Sequence, residues 1–248
     1  MTEELGKTSS DYLKLREAIK QYFLKYGHND PEKKLPSKVH KEVAEENTKN
    51  VYDRAKIIEP TISEDLKNIL EPGISEFKSF DHRIKEYDSL KRKIIADSKK
   101  YEGSYFRAAS RIFDSIRYTI VIPDDIYVEK VDSYLKEIED LGYYVVDFKN
   151  NWGSDACQGY NVRLHSKTAR DIFEIQFHTP FGYQIKEGFT RDLYEIARDE
   201  RTDDEIMNLK IQANKFRKLF FKLVPIPIGA KEYRFNRVLT EEVNGKLR

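Results

Sequence analysis

From residue 117 onward the apolar positions change their period several times. RYTIVIP (117–123) is β-branched and apolar and predicts a strand; DIYVEKVDSYLKEIEDLG (125–142) places Val128, Val131, Leu135, Ile138 and Leu141 on one helical face. YYVVDFK (143–149) returns to strand, and strand, helix and strand in this order predict a βαβ crossover. Next come YNVRLH (160–165) and DIFEIQFH (171–178), two alternating runs joined by a short polar turn, which predict a hairpin. In an extended chain side chains two apart share a face. Phe173, Ile175 and Phe177 therefore oppose Glu174, Gln176 and His178, while Tyr160, Val162 and Leu164 oppose Asn161, Arg163 and His165. A half-buried outer strand taken alone looks like this. Pairing polar with polar, however, collects six polar side chains on one sheet face, which a ligand cavity explains better than solvation does.

The flanks keep a helical period. Residues 1–75 read as helices interrupted by YGHNDPEKKLPS and EPG, and Tyr12, Leu15, Ile19 and Tyr22 form an apolar stripe in the first of them. Ser63, followed by Glu64 and Asp65, is the expected N-cap of a short helix before Pro72-Gly73. Near the other end Ile206, Leu209, Ala213, Phe216, Phe220 and Leu223 step by three and four until PIPIG stops them. Without internal repeats or low-complexity tracts, the expected organisation is a helical accessory region over 1–75, a core over 76–200, and a C-terminal helix and tail over 201–248 packing on that core.

Composition narrows the functional classes. The 248 residues include 44 basic and 43 acidic ones, a formal charge of +1, so no global field points to nucleic acid or an anionic membrane. Charged residues make up 35%, and no apolar run approaches membrane-spanning length. The start lacks the order of a secretory signal, and Cys157 is the only cysteine, which excludes an internal disulfide and is compatible with a reducing cytosol. A cytoplasmic location is the expectation, although a domain cut from a longer secreted protein would look the same.

Local clusters must then carry the chemistry. In HRIKEYDSLKRKI (82–94), Arg83 and Lys85 point the same way if the stretch is extended, and Ser89 and Lys93 share a face if a helix follows, with Ser89 or Asp88 as its cap. Arg forks and Lys point charges around a helix start suit a polyphosphate; from charge alone an ordinary basic helix face is the simpler account. Asp114, in IFDSIRYT (112–119), stands at the mouth of the apolar strand, and Asp114 and Glu174 could jointly hold Mg2+.

The run Arg83-x-Lys85-x-x-x-Ser89-x-x-x-Lys93, then Asp114 ahead of an Arg-containing strand, then Glu174-Ile175-Gln176 ending in His178-Thr179, resembles the synthetase domain of RelA/SpoT-type alarmone synthetases over about residues 76–198. It is most similar to divergent toxin-type members, in the LRYT-like wording at Ile116–Thr119, FHTP (177–180), KE (186–187) and LYEIAR (193–198) as well. The resemblance implies an α+β, nucleotidyltransferase-like fold with a mixed sheet of about four to five strands between helices, extended by helices at both ends. It implies transfer of the β,γ-diphosphate of ATP to a 3′-hydroxyl of a purine nucleotide, or of an RNA such as tRNA. A toxin of this kind would have an antitoxin or immunity protein as partner. Arg83, Lys85, Ser89 and Lys93 would meet ATP, Asp114 and Glu174 would serve Mg2+, and Gln176 and His178 would orient groups around metal and acceptor. A non-catalytic nucleotide-binding module is a third reading, against which the presence of both carboxylates speaks.

The sequence departs from the family twice. Matching the family's G-Y-x-x-x-H acceptor loop to Gly159-Tyr160 leaves His165 one residue late and turns Tyr160 to the apolar side. Matching the strand start instead puts Asn161 in the His place and Cys157 in the Tyr place, which keeps the faces consistent. Asn161 and Arg163 then face the acceptor, with Trp152 or Tyr160 left as a substitute for the missing stacking residue. His178 stands where conventional synthetases carry Arg, a trait shared with the toxin-type members.

Overall fold

The computed structural model describes residues 2–35, 37–155, 157–166 and 171–235. Among these a five-stranded mixed sheet is flanked by helices, an α+β fold. In chain order the main elements are α1 (Thr2–Tyr26), α2 (Lys38–Ile69), β1 (Glu76–Lys78), α3 (Tyr87–Ser98), α4 (Tyr105–Ala109), β2 (Arg117–Val121) and α5 (Tyr127–Asp140). They continue with β3 (Tyr144–Asn150), β4 (Tyr160–His165), β5 (Ile172–His178), α6 (Pro180–Gln184), α7 (Arg191–Ala197) and α8 (Asp204–Lys222). No helix among the described residues is long and apolar enough to cross a membrane.

The strands lie in the order β1-β2-β5-β4-β3, with β2 and β5 parallel and the other neighbours antiparallel. The expected hairpin forms from β4 and β5. The expected crossover is modified: β2 and β3 run the same way, but the hairpin inserts between them. Burial explains the order. All residues of β5 from Phe173 to His178 are buried, so β5 takes the centre, whereas β3 exposes alternate residues and suits an edge.

On one face of the sheet Tyr118, Ile120, Tyr160, Val162, Leu164, Phe173, Ile175 and Phe177 pack with α5 and the second half of α2. Full burial of each such side chain stabilises the fold by roughly 1.5–3 kcal/mol. The stripe from Tyr12 to Tyr22 packs on α7 and α8, while Ala44 near the start of α2 joins a third cluster with Leu90, Ile94, Tyr105 and Ile112.

Ser63 does not begin a helix. It sits inside α2, which runs through Pro60 and whose N-cap is Ser37, its hydroxyl accepting from the His40 amide at 3.3 Å. The core face holds α2 together across the proline: Ile58, Ile62 and Leu66 are buried there, and the Ser63 hydroxyl bonds Glu59 and Tyr118 instead of capping.

Candidate functional site

The other face of the sheet is polar. Ladder partners share a face, so Asn161 lies opposite Gln176 and Arg163 opposite Glu174. On the far side of β5, Arg117 is level with Glu174 and Thr119 with Gln176. His165 falls opposite Ile172, and His178 opposite Val121, so the two histidines end at opposite margins of the row. Glu174, Gln176 and His178 are 8%, 7% and 0% exposed, which rules out a merely solvated face.

A second group approaches this face from β2 and α3. The segment 83–85 is stitched antiparallel to the entry of β2: Lys85 N donates to Ser115 O at 2.9 Å, Arg117 N to Arg83 O at 2.7 Å, and Ile84 bridges Ile116. Lys85 and, from α3, Lys93 converge on the two oxygens of Asp114, at 2.8 and 2.6 Å. Burial alone would raise the Asp114 carboxyl, but the two ammonium groups outweigh it and hold the acid far below the usual carboxylate range. Burial conversely lowers the Lys85 ammonium, Asp114 opposes this, and Lys93 and Arg117 add to it.

Three expectations from the basic segment change. Arg83 has helical backbone angles, φ −67° and ψ −29°, because it closes a short 3-10 turn at Phe80–His82, so strand alternation does not reach it. Its guanidinium turns away from Lys85 to Glu59 of α2 and donates to the Phe80 carbonyl at 3.1 Å. Neither Ser89 nor Asp88 caps α3, which starts after Glu86 without a side-chain cap. Ser89 instead accepts from Arg92 at 3.0 Å, one turn before Lys93.

The acceptor candidates divide between the faces. Asn161 accepts from Asn151 at 3.1 Å, and Arg163 pairs with Asp147 at 3.0 Å while lying 5.0 Å over the Phe113 ring. Tyr160 and Trp152 lie on the apolar face, each packed against Tyr127, and the Tyr160 hydroxyl donates to the Ala230 carbonyl at 2.8 Å. Neither ring is offered to a base on the polar side.

His178 is on the polar face but sealed. Its Nδ1 donates to the Gln158 carbonyl at 2.8 Å, and burial, with Lys186 and Arg117 nearby, lowers its pKa to about 3. It is a neutral brace for residues 157–159 and touches no open surface where an acceptor would sit. Gly159 fits there because a Cβ at its φ of +138° would collide with the Phe177 carbonyl and come within 2.7 Å of His178 Nδ1.

Two residues that the resemblance covers without giving them a role, in IRYT (116–119) and KE (186–187), join the site. Arg117 lies close enough to act electrostatically on both Lys85 and His178, linking the two groups of residues; its parity with Thr119 in RYTIV carried the signal. Lys186 donates to Gln176 Oε1 at 2.8 Å, and Gln176 Nε2 donates to Glu174 Oε1 at 2.5 Å. Lys186 sits in a π-turn, Ile185–Phe189, whose wider closure departs from the period that helical patterns follow.

Among the described residues no group of three or more His, Cys, Asp or Glu side chains stands ready for a metal. Mg2+ asks for less: one or two carboxylates, completed by water and substrate phosphates. Asp114 at the entry of β2 and Glu174 on the neighbouring β5 fit that donor set.

No family model matches this chain, and none of the curated proteins does. Among solved structures, the chain is similar to small alarmone synthetase 1 from Bacillus subtilis, bound to its product pppGpp, at 13% identity and a TM-score of 0.36, covering 69% of this chain and 89% of that one. It is also similar to a GTP pyrophosphokinase family protein from Streptococcus pneumoniae, at 11% identity and a TM-score of 0.36, covering 73% of this chain and 87% of that one.

Proposed function

We propose that this chain is an ATP-dependent pyrophosphokinase of the toxin-type alarmone synthetase kind, moving the β,γ-diphosphate of ATP to the 3′-hydroxyl of a purine nucleotide. The observation that carries the reading is the convergence of Lys85 and Lys93 on Asp114 at the entry of β2, with Arg117 and Glu174 level on the adjoining strands. Of these, Lys85, Lys93, Asp114 and Glu174 are the residues that the RelA/SpoT-like motif order assigns to the donor phosphates and to Mg2+, and they come from three separate stretches of chain.

In this reaction the acceptor oxygen attacks the β-phosphorus, the bond from that phosphorus to the oxygen shared with the α-phosphate breaks, AMP leaves with that oxygen, and the hydroxyl proton passes to solvent. Such transfer asks a protein mainly for positioning and charge neutralisation. Lys85 and Lys93 exchange Asp114 for phosphate oxygens as ATP enters, and the carboxylate so released would be available to hold Mg2+. Asp114 and Glu174 would hold that ion, which supplies further positive charge to the phosphates. Asn161 and Arg163 line the acceptor side, Arg163 offering a fork for an acceptor phosphate. Arg83, held by Glu59, is left out of the donor set.

Incubation with ATP and, separately, GDP, GTP, ADP or an RNA with a free 3′ end, followed by mass spectrometry, tests the reading. AMP together with a nucleotide heavier by one diphosphate is expected. Diphosphate on the RNA alone would move the acceptor to the RNA class, and no AMP with any acceptor would refute the proposal.

A further inference from the structure

Helix α6 runs directly into the π-turn at Ile185–Phe189, closed by Thr190 N donating to Ile185 O at 3.0 Å. Ile185 enters the apolar core, and the next residue, Lys186, reaches over the polar face with its side chain only 18% exposed. Its ammonium meets Gln176 Oε1 at 2.8 Å, and the other end of that amide meets Glu174 Oε1 at 2.5 Å.

A side-chain amide has one accepting end and one donating end, whereas an ammonium only donates and a carboxylate only accepts. Between Lys186 and Glu174, therefore, the Gln176 amide has a single workable orientation. Rotated by half a turn, it would set NH2 against the ammonium and oxygen against the carboxylate. Burial of Gln176 and Glu174 makes that reversed state costly, since neither group can turn to water instead.

We propose that Lys186 is a positioning residue: through the Gln176 amide it fixes Glu174 in the direction that serves the transferred phosphates. The inference rests on the pyrophosphokinase reading and deepens it. Lys186 touches Glu187 as well, at 3.3 Å, so a plain ion pair within the turn is the competing account.

The experiment is a double-mutant cycle on the full chain, with Lys186→Met, Gln176→Ala and their combination, and with Lys186→Arg and Glu187→Gln as controls. It reads kcat, KM for ATP, melting temperature, and Mn2+ affinity in the presence of α,β-methylene-ATP. Lys186→Met is expected to lower kcat about 30-fold with KM within about twofold, the size of one charge-assisted hydrogen bond. Mn2+ affinity should fall about tenfold, as when a residue that orients a metal ligand is lost. Adding Lys186→Met to Gln176→Ala should change neither quantity further. Lys186→Arg should restore most of kcat, and Glu187→Gln should stay within about twofold of wild type.

Losses that add in full, or a Glu187→Gln protein as impaired as Lys186→Met, would overturn the relay while leaving the functional reading intact. A wild-type chain that binds Mn2+ with the analogue yet releases no AMP would remove the functional reading, and the Mn2+ cycle would still decide the relay. No Mn2+ binding by wild type would remove both.

Discussion

The two faces of β5 are buried almost equally but closed by opposite chemistry. Phe173, Ile175 and Phe177 are 0% exposed on one side, and Glu174, Gln176 and His178 are 8%, 7% and 0% exposed on the other. The first face is sealed by rings and aliphatic groups from α2 and α5. The second is sealed by cations: Lys186 on Gln176, with Arg117 alongside. Alternation in a sequence thus reports which residues share a face and not whether that face is wet. A polar face kept dry requires partners for each group, and here they come from the face itself, from the Gln158 carbonyl and from the π-turn.

The difference between the faces yields four tests. Glu174→Gln, nearly isosteric, is expected to reduce turnover at least about 1000-fold, the scale of removing a group that stabilises transition-state charge. Its melting temperature should stay close to wild type. A stable variant with wild-type rate would show that the polar face is not catalytic.

Tyr160→Ala inverts that pattern. Removing a fully buried ring from the apolar face should cost about 3–5 kcal/mol in a denaturant titration, with acceptor KM unchanged in whatever fraction remains folded. A fully stable variant with weakened acceptor binding would restore Tyr160 as a base-stacking residue and break the distinction between the faces.

Lys85→Met or Lys93→Met should each weaken α,β-methylene-ATP binding by about 1.5–3 kcal/mol, the range for hydrogen bonds to charged groups. Lys99→Met, whose ammonium pairs with Glu200 on an exposed stretch, should change it hardly at all. Equal losses in calorimetric titrations would reduce the cluster at Asp114 to ordinary surface charge.

The effect that is smallest at neutral pH concerns His178, whose pKa falls to about 3 through burial. A base with its folded pKa below the unfolded value near 6.5 binds fewer protons in the native state. Its stability contribution is therefore complete above about pH 6.5 and is lost as pH falls toward 3, by up to about 1.4 kcal/mol per pH unit. His178→Gln should flatten the dependence of stability on pH between 3 and 6.5; an unchanged slope would mean that other groups set it.

Much of this arrangement was legible in the chain, for physical reasons that also mark where legibility stopped. Period two is a property of the backbone, so the partition of Tyr160 from Asn161 and of Phe173 from Glu174 needed no tertiary knowledge. Strand order did need it: nothing local says that the hairpin slots between β2 and β3, because that depends on the competition of whole strands for the centre of the sheet. Arg83 was misplaced because a single turn of 3-10 helix ends the alternation just before Lys85. Ser63 resembled a cap because acidic residues follow it, whereas the buried side of α2 carries the helix past that point. Lys186 and Arg117 stand inside short motifs of the resemblance, but their contacts run across the fold, and a lysine after an isoleucine in a helix carries no sign of where its ammonium ends.

Gly159 and Tyr160 show how a short signature can arise for reasons unrelated to the activity it suggests. The glycine is present because no larger residue fits against the Phe177 carbonyl and the His178 ring, and the tyrosine because its ring completes a cluster of tilted aromatic rings and its hydroxyl satisfies the Ala230 carbonyl. Both requirements are architectural, yet together they spell the first two letters of an acceptor-loop motif. A pattern search that scores letters would credit this dipeptide to substrate recognition; packing alone is sufficient to dictate it. The side chain that reaches the polar face beside Gln176 is the next one, Asn161, where a letter search would not look.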